Sequence, residues 1–501
     1  MQLHPQSKRG GILIVAIVTI AIFSLVIAAF YQTLTPKYRS VYQGVSWQES
    51  LHGAESGADY GFRLLNQFAG TTKDPDAYDW TGNQWSYTDA TYLTNGERTL
   101  ASASLPVLGG PNNVAVTRLA VDVYTRDSAA PYTPWFRIRS TARADVPGKY
   151  VSADKRDAAL RRMRLGATTG SVSTPCVSRT VELIVRPRFR FSRAITTALD
   201  MALGNSANWG VDSFDSADAA HSDPGTIAGG VYPGAAAERL ANGSVATLKP
   251  LPTGVTYGPL INGNGATVAG DVLTVGGDDP GTAVHENVSG SGGIDPNRIR
   301  DDFDEEITPV AKPAWSFVSA NPPGNTNFVT GASPSTRTRY VINGNLGAFA
   351  VTTPAAGSTG YIEILVNGNL SIGNGNGAKV VIPPNAYATI YVDGDIDFGN
   401  GTVNADASSS NVSTHLTVYG VHATGTYTAS GNAVQILAFY GPDYSVTLSG
   451  TVTTMGAIVA KSFGINGGGN GGLHYDESLG RSGDIAGWVV ASYFEDARTD
   501  L

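Results

Sequence analysis

The chain has 501 residues, enough for two to four domains at about 100–200 residues each. Only 15% of the residues are charged, whereas about 25% are charged in an ordinary soluble domain. The single cysteine, Cys176, excludes a disulfide framework within the chain and any metal site built from thiolates alone. We expect it to be structural, because free cysteines are mostly buried and inert. A net charge of -8 argues against a nucleic-acid-binding protein.

The average charge conceals two different parts. Residues 1–195 hold 23 Lys and Arg against 14 Asp and Glu, a net of +9. Residues 196–501 hold 11 against 28, a net of -17, together with 46 of the 60 glycines. The sequence therefore predicts two kinds of structure joined near residue 195.

An uncharged apolar run, Ile12 to Tyr31, follows a short polar start that ends in Lys8 and Arg9. Twenty helical residues span about 30 Å, the hydrocarbon thickness of a bilayer, and exceed the roughly 7–15 residues of a secretory signal core. The run predicts a retained single-pass transmembrane helix. The positive flank places the N-terminus in the cytoplasm and the bulk of the chain in the periplasm or outside the cell.

Helical periodicity continues beyond the membrane. From Tyr38 to Phe68, apolar residues recur at three- and four-residue spacing, which predicts an amphipathic continuation of the helix. Pro36 is expected to open the helix locally, because it lacks a backbone N–H. Together these segments predict one transmembrane and amphipathic helix over residues 11–68.

This N-terminal region resembles the PilX-type minor type IV pilins. The resemblance lies in the leader 1–10, the apolar run, Pro36 and the segment Ala54-Glu55-Ser56-Gly57-Ala58. It implies cleavage by a prepilin peptidase at the Gly10–Gly11 bond, or after Gly11. It also implies inner-membrane lipid and other pilin-like subunits, or pilus and secretion assembly proteins, as partners.

One feature of the major pilins is missing. Where they carry Glu at the fifth mature position, this chain has Val15 or Ala16. Several minor pilins and pseudopilins also lack this residue, so the departure favours a minor or tip role over a main filament subunit.

Three alternating segments follow the helix: Val114 to Tyr124, Trp135 to Val146, and Val177 to Phe191. This period of two predicts antiparallel strands with one buried face, and hence a pilin-like sheet domain over residues 69–195. Arginines on these strands either lie on the solvent side of the sheet and protect its edges from pairing with other chains, or form a basic face toward lipid headgroups or an acidic partner. The cluster Arg161-Arg162-Met163-Arg164 predicts a loop or strand end.

A phrase of two apolar residues and Asn-Gly-Asn or Asp-Gly-Asp recurs in the glycine-rich part. Copies begin at Leu260, Val341, Leu365 and Tyr391, and apolar repeats continue at 20–25-residue spacing. This period is typical of a right-handed parallel β-helix, a solenoid of stacked turns. We expect residues 196–335 to begin the solenoid, residues 336–501 to complete it, and the apolar end, Ile485 to Phe494, to cap it.

In overall plan the chain looks like bacterial PilX-like surface proteins of unassigned role. That broader resemblance includes an acidic segment beginning Asp301-Asp302-Phe303-Asp304 and the segment His474-Tyr475-Asp476-Glu477. It brings no known activity with it. The acidic segment, which extends to Glu306, is either an exposed loop or a cation site.

The strongest candidates for chemistry are Asp393, Asp395 and Asp397, which alternation places on one face of one strand. Carboxylates there could act as paired acids on a polysaccharide or supply oxygen ligands to Ca²⁺, or form a solvated face. His474, with Asp476 and Glu477, could bind metal or relay protons, or close the last turn of the solenoid. The chain lacks the common catalytic signatures, so no enzyme is predicted.

These observations favour a membrane-anchored, pilin-like surface protein that displays a β-helix for adhesion or for pilus or secretion assembly. The alternative is a membrane-tethered β-helix that binds or cleaves polysaccharide. A third reading is an envelope protein that never enters a filament.

Overall fold

The protein divides into two compact units in a computed structural model. Unit 1 comprises Met1–Arg188 with Ala486–Leu501, and unit 2 comprises Phe189–Ile485. The structure describes residues 9–69, 85–87, 98–100, 105, 107–109, 113–125, 135–146, 176–203, 209–223, 232–233, 236–250, 260–262, 266–275, 284–285, 293–315, 318–333, 336–353, 355, 357–375, 377–466, 471–482 and 485–496.

One long helix, α1 (Arg9–Ala69), begins unit 1 and continues through Pro36. Its apolar side chains between Ile14 and Tyr31 are exposed to the surroundings of the protein. By length and composition this part of the helix is able to cross a membrane, a property that signal sequences share. The expected opening at Pro36 does not end the helix.

The second part of α1 packs against the sheet of the same unit through small residues. Ala54 is fully buried there. A Cβ added at Gly57 would lie 2.2 Å from Ser140 Oγ, and one added at Gly61 would lie 2.9 Å from Ile138 Cγ2. The helix therefore approaches the strands at a distance that only glycine allows.

Seven strands form that sheet: β1 (Trp85–Tyr87), β2 (Arg98–Leu100), β3 (Val107–Gly109), β4 (Val114–Thr125), β5 (Trp135–Asp145), β6 (Cys176–Phe189) and β30 (Ile485–Asp496). Their order is β1-β2-β4-β5-β6-β30, with β3 beside β4. The pairs β4–β5 and β5–β6 are antiparallel, so Ile138 faces Val121 on one side and Leu183 on the other. Every second residue of β5 is buried, as alternation predicts. Cys176, by contrast, is exposed at the start of β6.

The C-terminal segment corrects one expectation. Ile485 to Phe494 does not cap the solenoid, because β30 joins the sheet of unit 1 beside β6. Within unit 1, Asn66 Oδ1 accepts a hydrogen bond from Trp488 N at 2.9 Å, and Tyr493 donates to Glu55 at 2.9 Å. Unit 2 is therefore an insertion between two neighbouring strands of unit 1, and it begins at Phe189, six residues before the predicted junction near residue 195.

Unit 2 contains a 23-stranded sheet and a short helix, α2 (Leu479–Ser482). Its strands are β7 (Ile195–Thr197), β8 (Met201–Ala202), β9 (Gly210–Phe214), β10 (Val245–Thr247), β11 (Ile261–Asn262), β12 (Thr267–Val268), β13 (Val272–Val275), β14 (Val284–His285), β15 (Ile299–Phe303), β16 (Asn327–Val329), β17 (Thr338–Ile342), β18 (Phe349–Thr352), β19 (Gly360–Val366), β20 (Leu370–Ser371), β21 (Lys379–Val381), β22 (Ala386–Val392), β23 (Ile396–Asp397), β24 (Thr402–Val403), β25 (Leu416–Gly420), β26 (Thr426–Ala429), β27 (Val434–Ser449), β28 (Thr453–Asn466) and β29 (Gly472–Asp476).

Parallel pairing stacks inward-facing side chains into continuous apolar columns. The longest one passes through ten strands and is almost wholly buried: Ile299, Val272, Val245, Ile195, Ile458, Phe439, Val418, Ile390, Ile364 and Tyr340. Each side chain is covered above and below by the next, so the column is a single extended core.

The chain does not fill this column in sequence order. It starts in the middle at Ile195, builds outward to Ile299, and then reaches the far end at Tyr340. From there it builds back until Ile458 pairs with Ile195 from the opposite side. The later half of unit 2 therefore ends by pairing with β7, the first strand of the unit, on the side opposite the earlier half.

Residues 304–326, which we call the crossover segment, carry the chain between the two ends. The segment is held by contacts with residues in β17, β22 and β27 and in the bends before β7 and after β22: Glu305 with Arg193, Thr308 with Tyr440, Lys312 with Asp393, Trp315 with Tyr391, Ser319 with Arg339, and Asn321 with Val341.

The repeated Asn-Gly-Asn phrase forms a side-chain ladder at one corner. Asn345 Oδ1 accepts from Asn369 N, Asn369 Oδ1 from Asp395 N, and Asp395 Oδ1 from Thr426 N, at 2.9–3.0 Å. Each copy therefore satisfies a backbone N–H of the next turn, a group that would otherwise lack a partner at a bend.

Candidate functional site

The three predicted aspartates do not share one strand. Asp393 and Asp395 lie in the bend between β22 and β23, and Asp397 ends β23. Asp393 contacts Lys312 Nζ at 2.6 Å and His422 Nδ1 at 3.1 Å. The hydrogen bond from Lys312 is the main cause that lowers the pKa of Asp393.

The other two carboxylates have partners of their own. Asp395 accepts from the N and Oγ1 of Thr426 at 2.9 and 2.7 Å, and these bonds lower the pKa of Asp395. Asp397 accepts from Thr428 Oγ1 at 2.9 Å and from Gly399 N at 3.0 Å. In the part of the chain that the structure describes, no three His, Cys, Asp or Glu side chains are grouped to hold a metal ion. Binding of Ca²⁺ by these aspartates stays a prediction.

His474 lies in β29 directly opposite Asp212 in β9. Its Nδ1 donates to Asp212 Oδ1, while Tyr232 donates to Asp212 Oδ2 at 2.5 Å. The ring of Tyr232 stacks on the imidazole with centroids 3.7 Å apart. Burial, with the bond to Asp212, raises the pKa of the Tyr232 hydroxyl.

Asp476 is fully buried in unit 2. Its carboxylate accepts four hydrogen bonds, from Ser216 N, Ser413 Oγ, and both the N and the Oγ of Ser478, at 2.6–3.1 Å. Glu477 accepts from Ser213 Oγ at 2.8 Å. Such a set of donors stabilises a buried carboxylate without offering an open coordination position.

All four residues of the segment His474-Tyr475-Asp476-Glu477 bond to the beginning of unit 2. Tyr475 donates to Phe191 O at 2.8 Å, so each member joins a residue far earlier in the chain. We call this segment and its partners the clasp. The prediction that the segment closes the last turn is refined: it joins the last strands of unit 2 to the first ones.

The predicted cleavage bond lies near the start of α1. Gly10 and Gly11 are helical in backbone, and residues 1–8 of the leader fall outside the described residues. Cleavage at this bond therefore stays a prediction.

Several predicted basic residues are paired within unit 1. Arg137 donates to both carboxylate oxygens of Asp122, at 3.1 and 2.6 Å, and Arg179 pairs with Glu495. These ion pairs favour a structural role for part of the arginine set. The cluster Arg161–Arg164 lies outside the described residues.

The acidic segment 301–306 borders a polar cavity of about 290 Å³ on unit 2. Within it, Arg193 pairs with Glu305 at 2.8 Å and Arg300 pairs with Asp302. Opposite charges thus meet in this cavity, and residues 301–303 belong to β15 rather than to an exposed loop.

Sequence reasoning missed Asp212, Tyr232, Lys312 and His422. The contacts of these residues join positions 20 to 262 apart in the chain. Residue spacing in the sequence cannot reveal such pairs, because the order in which the strands of unit 2 stack brings them together.

One family model matches part of unit 2. A family described as Domain of unknown function (DUF7305) matches residues 340–482, which run from β17 to α2. No curated protein matches the chain. Among solved structures, the crystal structure of the competence-associated pilin ComZ from Thermus thermophilus is 12% identical, with 90% of this chain and 98% of that chain covered and a TM-score of 0.23. A likeness that low carries no argument.

Proposed function

We propose that this is a membrane-anchored, pilin-like surface protein that displays unit 2 for adhesion or for pilus or secretion assembly. One observation carries the proposal: a single helix joins an exposed apolar part to a part packed on an antiparallel sheet. Exposed apolar side chains from Ile14 to Tyr31 require lipid or apolar neighbours. The apolar run, Pro36 and the segment Ala54–Ala58, which resemble PilX-type minor pilins, lie in the same helix.

We infer that unit 2 is a parallel β-helix and that its turns form a rigid display. Its uniformly parallel ladders and its Asn corners support that architecture. A stacked core with most backbone groups paired between turns gives stiffness over its length. The N-terminus would lie in the cytoplasm and both units outside the inner membrane.

The test is N-terminal sequencing of the protein from cells with an active prepilin peptidase. We expect the mature chain to begin at Gly11 or Ile12, and to keep Met1 in cells without the peptidase. Substitution of both Gly10→Val and Gly11→Val should block processing. An intact Met1 in both strains would contradict the pilin-like assignment and leave a plain membrane anchor.

A polysaccharide-cleaving role gains no support from the predicted acids. Asp393, Asp395 and Asp397 each bond to a different partner, so they do not converge on one bond to be cleaved. Binding of a polysaccharide without cleavage is supported by a different set of residues, the aromatic side chains on the surface of unit 2.

A further inference from the structure

A row of aromatic side chains runs along the outer face of unit 2. Tyr361 pairs in register with Tyr387, and their rings stack with centroids 5.2 Å apart. His415 continues the row, with its ring centroid 4.4 Å from that of Tyr387. We call these three residues the open row, because Tyr387 is 38% exposed.

A second aromatic row runs parallel to the first. Tyr391 stacks on Tyr419 at 5.2 Å, and Tyr440 follows at 6.1 Å. The crossover segment lies over this row: Trp315 packs edge-on against Tyr391 at 5.9 Å, and Thr308 O accepts from the Tyr440 hydroxyl. This covered row is therefore already occupied by the chain itself.

Smaller side chains lie between the two rows. Strand alternation puts Thr389 between Tyr387 and Tyr391, and Thr417 beside it on the next strand. Since threonine is much shorter than tyrosine, the threonines form the floor of a shallow groove and the rows form its sides.

One end of the groove carries paired charges. Glu363, opposite Thr389 in register, accepts from Arg337 at 2.5 Å and from Arg339 at 2.8 Å. Two arginines against one glutamate leave a net charge of only +1 at this end, so the groove presents no strong field of one sign. A polyanion such as nucleic acid is therefore a poor match.

The other end carries an uncharged imidazole. Burial lowers the pKa of His415 to about 4, so the imidazole is uncharged at neutral pH. Its Nδ1 is buried, so the ring contributes to the groove as an uncharged aromatic surface beside Tyr387.

We propose that this groove binds a linear polysaccharide lying parallel to the stacking direction of the strands. Pyranose rings combine apolar C–H faces with hydroxyl groups, and tyrosine offers the same combination of ring and hydroxyl. Threonine hydroxyls and the Glu363–arginine group supply the few oriented polar contacts that fix a ligand. The rows repeat at the strand spacing of about 4.8 Å, which suits an extended ligand. This inference rests on the proposed adhesive function and names the surface that would serve it.

The experiment measures binding of the full-length protein in detergent to the neutral oligosaccharides cellohexaose, chitohexaose and xylohexaose by titration calorimetry. We expect at least one of these to bind, and Tyr387→Ala to weaken that binding at least tenfold. Thr389→Trp, which fills the floor, should weaken it equally. Leu199→Ala is the matched control, since Leu199 is also 38% exposed on unit 2.

Thermal unfolding of each variant establishes that it is folded. Failure of all three sugars to bind would overturn the proposal, and so would equal binding by wild type and by folded Tyr387→Ala. Binding of an oligoproline peptide in place of any sugar would overturn it in favour of a peptide groove. N-terminal processing is read separately, so failure of the membrane-anchor proposal is distinguishable from failure of the groove.

Discussion

His474 and Asp212 face each other across a parallel strand pair although 262 residues separate them in the chain. Their hydrogen bond lies at the seam where the last strands of unit 2 meet its first ones. Asp476 and Glu477 complete the same seam with bonds to Ser216 and Ser213. The clasp therefore stabilises the seam at which the last strands of unit 2 pair with its first strands.

Loss of the buried charge in the clasp should weaken unit 2 strongly. In Asp476→Asn, an amide replaces an oxygen that accepts hydrogen bonds from neighbouring donors, so N–H groups would face each other. We expect the free energy of unfolding to fall by about 2–3 kcal/mol. Urea denaturation measures it, with Asp304→Asn, at an exposed position, as the control. An unchanged midpoint would mean that the clasp does not hold the seam.

Gly57 is one of two glycines that allow the close helix–sheet packing in unit 1. In Gly57→Ala the added Cβ would lie 2.2 Å from Ser140 Oγ, so the helix or the strand must shift. We expect a loss of about 1–3 kcal/mol in unfolding free energy.

The matched control is Gly44→Ala on the same helix. An added Cβ there meets nothing within 4 Å, and alanine favours helix over glycine by about 1 kcal/mol. The two substitutions should therefore shift the melting temperature in opposite directions. A shift of the same sign for both would contradict the packing described for α1.

The Asn corners require close approach of successive turns. A Cβ at Gly394 would lie 2.5 Å from Gly368 O, whereas one at Gly377 would meet nothing within 4 Å. Gly394→Ala should cost about 1–3 kcal/mol and Gly377→Ala close to none. Chemical denaturation compares the two, and equal stability of both variants would exclude a tight corner at Gly394.

Acid should destabilise unit 2 through His415. Burial lowers the pKa of His415 to about 4, below its value near 6.5 in an unfolded chain. The unfolded state then binds the proton first as pH falls, so stability is lost between about pH 6.5 and pH 4, by up to roughly 3 kcal/mol.

Substitution His415→Gln should remove this part of the pH dependence. The measurement is the urea midpoint at pH 7, 6, 5 and 4 for both proteins. Parallel curves for wild type and variant would show that another group causes the acid sensitivity.

Much of the local structure follows from patterns in neighbouring residues. The predicted strand from Val114 to Tyr124 is observed as Val114–Thr125, and the one from Trp135 to Val146 as Trp135–Asp145. The copies of the repeated phrase at Val341, Leu365 and Tyr391 lie in register with one another. Short-range alternation and repetition were sufficient for these, because each depends on residues within one strand or one turn.

The candidate aspartates show where such reasoning stops. Alternation placed Asp393 and Asp397 on one strand, but the bend after Val392 separates them. Their partners Lys312 and Thr428 come from the crossover segment and from the next turn. The sequence around each aspartate shows neither the bend nor the distant partner, because neither changes the local alternation of apolar and polar residues.

The sequence by itself determined the apolar N-terminal helix, the alternating strands and the repeated corners, since each arises from local periodicity or from glycine and asparagine at bends. Tertiary structure alone decided that Ile485 to Phe494 returns to the sheet of unit 1, and that Ile458 closes on Ile195. Both results depend on which apolar surface a strand packs against when its partner lies hundreds of residues away in the sequence. Many strands of unit 2 have similar apolar faces, so the partner is chosen by the whole stack and its clasp rather than by the strand's own residues.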